Sequence, residues 1–212
     1  KIIQTSSKRP NDDKISATLQ KYIGLIKQTP PNFSAIKVNG VRAYDLARRG
    51  LELELKPRSL LVKDLKFVER IDDHHALFQL TCGKGGYVRS VARDIGEKLG
   101  CFAHAGQIRR LSSGPFTLSN AIPNEKVLKE NTSKIFESIL PVQSSLHQLH
   151  RLDCHITDAK AINNGKKICV YDTKHSESSD AYVCFNNKPI AIGKISNNYF
   201  FPKRVFSFCT DE

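Results

Sequence analysis

The 212 residues carry 33 lysines and arginines against 21 acids, a formal charge of +12, with 40% hydrophobic and 25% charged residues. These proportions are ordinary for a globular chain and suffice for one large domain or two small ones. No apolar run approaches a membrane span and no signal peptide is visible, while the excess of cations biases the partner toward phosphate backbones without specifying a fold.

The chain holds no methionine, so Lys1 is not expected to be a translational start; a processed precursor or a piece of a longer chain is expected instead. Six cysteines are spread too widely for a zinc knuckle or a disulfide framework. They are expected to be reduced and mostly buried, in a cytoplasmic protein. The seven histidines show no ligand spacing, so no metal is expected. His74 and His75 read as a hairpin tip.

In chain order, Pro10 and Asn11 open a helix whose apolar side is Ile15, Leu19, Tyr22 and Ile23, closed by Gly24. Residues 25–27 are extended and lead into Thr29-Pro-Pro-Asn-Phe33, where two prolines forbid helix and central strand. Asn39-Gly40 is a turn and 44–49 a short helix ended by Gly50. The stretch about 32–59 has few large apolar residues, so it reads either as a projecting arm or as an ordinary surface excursion. Its Lys37, Arg42, Tyr44, Arg48 and Arg49 mix charge with an aromatic ring.

Residues 60–68 and 77–82 form a hairpin through Asp72-Asp-His-His75. A glycine-rich turn follows, Cys82-Gly-Lys-Gly-Gly-Tyr87, and then a helix with Val88, Val91, Ala92, Ile95 and Leu99 at helical spacing, stopped by Gly100. That corner sets Lys84, Tyr87 and Arg89 together, a combination suited to an anion or a flat polar ring. The competing reading of Arg89 is a surface ion pair with Asp94 or Glu97. Val91 and Ile108 are of the kind that in most proteins is plain core.

Residues 106–111 are expected to be a strand, Ser112-Ser-Gly-Pro115 a turn, and 125–129 (capped by Asn124) and 133–139 short helices. From Leu152 onwards short strands (168–171, 181–185, 190–195, 199–201 and 205–208) alternate with turns at Asn163-Asn-Gly165, Asn186-Asn187 and Asn197-Asn198. That is the texture of a small all-β unit, most simply a compact barrel, with 173–180 a mobile polar loop.

Pro30-Pro-Asn-Phe-Ser-Ala-Ile-Lys-Val-Asn-Gly40, Tyr44-Asp-Leu-Ala-Arg-Arg-Gly50, the corner from Lys84 to Gly96, Ala103-His104, Ile108-Arg-Arg110 and Gly114-Pro-Phe116 occur in order. Together they resemble bacterial tRNA pseudouridine synthase B over about residues 1–146. The resemblance implies an α+β fold: a mixed, mostly antiparallel sheet with flanking helices, followed at 147–212 by a small PUA-like β-barrel. It implies isomerisation of a uridine in the TΨC loop of tRNA without a cofactor, by a monomer that holds the T-arm and the acceptor stem. It further implies that 32–59 is an RNA-binding thumb carrying Lys37, Tyr44, Arg48 and Arg49. Arg89 would pair with the catalytic aspartate, Tyr87 and Lys84 would serve the pocket, and Val91 and Ile108 would line the slot for the flipped base.

Two features depart from the family pattern. The Gly-x-Leu-Asp-Pro loop that carries the nucleophile, and the Lys-x-Tyr strand, do not occur in these residues. The 212 residues alone are therefore expected to bind tRNA without converting it, and a non-catalytic tRNA binder or folding helper is the rival reading. The Asp-Asp frequent in the corner helix is Arg93-Asp94 here, read as a mild surface change.

Overall fold

The computed structural model describes residues 2–129, 132–170 and 179–206. They form two compact units, Lys1–Ile108 and Arg109–Glu212.

In the first unit, α1 (Asp12–Gln20) is capped by Asn11, whose side chain accepts from the Lys14 amide at 3.0 Å. Strand β1 (Gly24–Gln28) precedes the arm, which holds β2 (Lys37–Val38), β3 (Val41–Arg42) and α2 (Ala43–Arg48). Asn39 and Gly40 both take positive φ, the geometry of a tight hairpin turn. Strand β4 (Arg58–Arg70) follows, then β5 (Ala76–Cys82) and α3 (Val88–Leu99). The sheet order is β1-β4-β5, antiparallel throughout.

Its core is built from one face of each element. Ile15 and Leu19 of α1 meet Val91, Ile95 and Leu99 of α3 and Leu60, Val62 and Leu65 of β4. The inward residues of β4 change from even to odd numbers because a bulge interrupts the ladder between Val62 and Asp64. Without that extra residue Leu65 would face solvent and Asp64 the core. Ile23, expected on the apolar side of α1, is 40% exposed, because the helix ends at Gln20 and the chain turns away.

In the second unit, β6 (Ser112–Ser113) and β7 (Phe116–Thr117) form a two-stranded ribbon, followed by α4 (Asn124–Lys129) and α5 (Thr132–Glu137). Strand β8 (His150–Asp153), α6 (Ile156–Asn163), β9 (Ile168–Cys169), β10 (Ser179–Phe185), β11 (Lys188–Ser196) and β12 (Tyr199–Val205) complete it. The sheet order is β8-β10-β11-β12-β9, with β8 parallel to β10 and the other pairs antiparallel. Strand β10 is buried on both faces: Ala181 and Val183 join Ile162 and Phe200, while Tyr182 and Cys184 meet Leu146.

Three sequence expectations need correction. Residues 106–111 are not a strand; all six are exposed and have no ladder partner among the described residues. The second unit is not all β, because α6 packs Ala159 and Ile162 into its core. Strand β12 is one strand rather than two short ones, continuous through Pro202, where the ladder shifts register against β11.

No disulfide joins the five described cysteines, but only Cys184 is buried and Cys169 is exposed, so burial is not their common feature. Cys154 is half-buried, and burial, followed by the charges of Asp158 and Asp153, pushes its thiol up to about 11. Cys209, the loop at 173–178 and the strand end at 207–208 lie outside the described residues. Among the described residues no helix is long and apolar enough to cross a membrane.

Candidate functional site

The corner forms because the chain must pass from β5 to α3 in five residues. Gly85 does so at φ +83, and a side chain on Gly86 would meet Cys82 Sγ at 2.9 Å and Leu60 at 3.0 Å. The turn is thereby pressed onto the sheet, and α3 starts at a defined point above β4. Lys84 and Arg89 are exposed and Tyr87 is half-buried. The corner expected from the sequence thus exists, with its cation, ring and guanidinium within six residues.

Arg89 is in neither of the ion pairs that the surface reading offered. Its Nη2 donates to the Phe33 carbonyl at 2.9 Å, whereas Asp94 is taken by Arg93 at 2.6 Å. Arg93 is half-buried, and its Nη2 also donates to the Thr29 carbonyl at 3.0 Å, so this position is more than a mild surface change. Ser90, 1% exposed, donates to the same carbonyl at 2.8 Å. Gln28, 3% exposed, bonds both backbone groups of Tyr87. The start of α3 is therefore stitched to residues 28–33, where the arm begins.

Sequence spacing marked none of Gln28, Ser90 and Arg93 as site residues. Gln28 ends a short strand with a lysine before it, a pattern that reads as solvent-facing. The one available signal was the pair of prolines that begins two positions after it, where no strand can continue and the Thr29 carbonyl is left to be satisfied by side chains.

Of the expected slot residues, Val91 is buried among Ile95, Leu60 and Val62 in the core, and Ile108 is 59% exposed. On the arm, Lys37, Arg48 and Arg49 are exposed. The Arg48 guanidinium lies 5.3 Å from the Tyr44 ring centre, a stacked cation on a half-buried aromatic ring. Lys37, Lys56 and Arg58, with Glu54, line a hollow of about 260 Å³ floored by Pro30, Ile36 and Leu55. Midway along α3 the Tyr22 hydroxyl donates to the Asp94 carbonyl at 2.8 Å; burial, then Asp94 and Glu97, raise its pKa.

A rigid corner with exposed cations, tied to a basic arm, can grip a polyanion and present a guanidinium beside it. Known proteins resemble this chain. Residues 1–88 match the TruB family pseudouridylate synthase (N terminal domain), and residues 89–147 match the tRNA pseudouridylate synthase B C-terminal domain. The chain is 40% identical over 207 residues to the tRNA pseudouridine synthase B of Ruegeria sp. (strain TM1040), covering 97% of this chain and 68% of that protein. It is 39% identical over 224 residues to the protein of the same name from Bartonella henselae, covering 97% and 70%.

Among solved structures, a chain of a Cbf5-Nop10-Gar1 complex superposes with TM-score 0.67 at 21% identity, covering 96% of this chain and 63% of that one. A chain of an H/ACA RNP bound to a substrate RNA containing 2′-deoxyuridine superposes with TM-score 0.68 at 18% identity, covering 96% and 64%. These likenesses speak to the fold. The chain spans about two thirds of the length of the proteins it matches.

Proposed function

The chain belongs to the tRNA pseudouridine synthase B family, an RNA-modifying isomerase family, and we propose that the complete protein converts a uridine in the TΨC loop of tRNA to pseudouridine. The reaction breaks the N1–C1′ bond, turns the base, and forms C5–C1′, with the C5 proton lost and N1 regaining one. It is redox-neutral, so neither a metal nor an organic cofactor is needed for its balance. An aspartate nucleophile attacks the sugar or base, and a base later removes the C5 proton. The Leu-Asp-Pro motif that carries the nucleophile in this family is not among residues 1–212.

The observation that carries the reading is Arg89. Its guanidinium projects from the first turn of α3 and reaches the root of the basic arm at Phe33. A cation there keeps a neighbouring aspartate ionised and can hold its pKa down by roughly 1–3 units. Lys84 and Tyr87 share the corner and meet the flipped base, whose extraction costs a few kcal/mol. Val91 backs the slot from the core side and Ile108 supplies an exposed apolar surface to it. Lys37, Tyr44, Arg48 and Arg49 grip the T-arm backbone, and the PUA-like region at 147–212 holds the acceptor stem, so phosphate contacts set register and the pocket selects the base. The protein acts as a monomer in the cytoplasm.

The test is Arg89→Ala in the complete protein, with conversion of a T-arm RNA and its binding measured in parallel. Turnover is expected to fall by roughly 10²-fold or more, as for loss of a charged group at a reacting centre. Affinity should change little. Equal losses in both would remove Arg89 from the chemistry. Residues 1–212 alone should bind the RNA and leave its uridine unconverted; pseudouridine formed by them would overturn the placement of the nucleophile.

A further inference from the structure

The stitch at the root of the arm assigns a role to a residue outside the corner. Gln28 makes two bonds to a single residue: the Tyr87 amide donates to its Oε1 at 2.9 Å, and its Nε2 donates to the Tyr87 carbonyl at 3.2 Å. A carboxamide has the donor–acceptor pattern of a peptide group, so Gln28 acts as an added ladder rung where no strand is available. Tyr87 is also the N-cap position of α3, and its own side chain makes no capping bond. Its amide is one of the N–H groups that a helix start leaves without an intrahelical partner, whereas its carbonyl also accepts from the Val91 amide at 3.1 Å.

The neighbouring bonds run between the same two segments. The Thr29 carbonyl accepts from Ser90 Oγ and Arg93 Nη2, and the Phe33 carbonyl accepts from Arg89 Nη2. Residues 28–33 therefore touch α3 at Tyr87, Arg89, Ser90 and Arg93. Gln28 and Ser90 lie at 3% and 1% exposure, so water cannot substitute for the missing partner if either is removed.

We propose that Gln28 is a positioning residue. It fixes the backbone of Tyr87, and with it the direction in which the corner presents Tyr87 and Arg89, in register with the arm that starts beyond Pro30. This rests on the reading of the corner as the base pocket. A displacement of about 1 Å at such a site can cost roughly 10²-fold in rate while leaving distant binding contacts intact.

Two substitutions in the complete protein test it. Gln28→Met keeps the volume and removes both bonds. Gln28→Glu cannot donate to the Tyr87 carbonyl while ionised, but its protonated carboxyl again offers one donor and one acceptor, as the amide does. Burial raises that carboxyl's pKa toward neutrality. Single-turnover conversion of a T-arm RNA and RNA affinity are measured across mildly acidic to mildly alkaline pH, with folded fraction followed by circular dichroism.

For Gln28→Met the rate is expected to fall roughly 10- to 100-fold at all pH values, with affinity changed no more than a few-fold. For Gln28→Glu the same deficit should appear at alkaline pH and shrink on acidification, relative to the wild-type profile. The inference is overturned by wild-type rates in both variants, by rate and affinity falling by one common factor, or by a folded Gln28→Glu protein whose deficit ignores pH. Active wild type with indifferent variants refutes this inference alone. Wild type that leaves uridine unconverted refutes the functional reading as well.

Discussion

One carboxylate organises the tip of the long β4–β5 hairpin. Asp72 accepts from the amides of His74 and His75, each at 2.7 Å, and its other oxygen lies 2.8 Å from His75 Nδ1. The His74 amide, then the His75 side chain, hold the Asp72 carboxyl below the ordinary carboxylate range. A group whose pKa is lower in the folded state stabilises above its unfolded value and loses that contribution as pH falls through its folded value. The tip is therefore expected to loosen only in acid, below the ordinary carboxylate range. Amide exchange at His74 and His75, corrected for intrinsic rates, should show protection lost on acidification. In Asp72→Ala both amides should be unprotected at neutral pH and indifferent to acid. Asp72-Asp-His-His75 was legible as a hairpin tip because a polar cluster separates two apolar runs. Gln28 was not legible, since its role depends on a backbone 59 positions away.

Whole elements were legible wherever local chemistry leaves few choices. Asn39-Gly40, Asn186-Asn187 and Asn197-Asn198 all take paired positive φ, as tight hairpins require, and asparagine tolerates that region better than most residues. Helix α3 was visible because five apolar residues fall on one face and Gly100 can turn left-handed at its end. Helix α6 was hidden: it is eight residues long and only Ala159 and Ile162 are buried, too few for a period to show. Residues 106–111 failed in the opposite way, since strand formation depends on a partner that spacing cannot supply. Strand β11 has a requirement of the same non-local kind. A Cβ on Gly193 would collide with the backbone oxygen of Phe201 and stand 2.7 Å from the Phe200 ring, and Phe200 is fully buried. Neither neighbour can move cheaply, so Gly193→Ala should destabilise the second unit by on the order of 3 kcal/mol. Chemical unfolding followed by exchange at β10 and β12 checks this, and a wild-type midpoint would mean that β12 can step aside.

At the scale of the molecule, the +12 charge was plain in the composition, but composition could not say whether it acts diffusely or through one surface. The arm offers the contrast. Lys37 and Arg48 are exposed there, and Arg48 is braced on Tyr44 at 5.3 Å, which fixes the guanidinium in place. Each cation that neutralises a phosphate releases counterions and steepens the salt dependence of binding. Lys37→Ala combined with Arg48→Ala should thus lower the slope of log affinity against log salt by about 1 for each cation removed. Lys98, exposed in the last turn of α3, is the comparison, because Lys98→Ala changes the net charge without touching the arm. Its slope should match that of the wild type. Equal slopes for wild type and the double variant would deny the arm its grip on RNA. An equal drop on losing Lys98 would instead show that charge anywhere on the surface serves, because counterion release then depends on total charge rather than on where the cations stand.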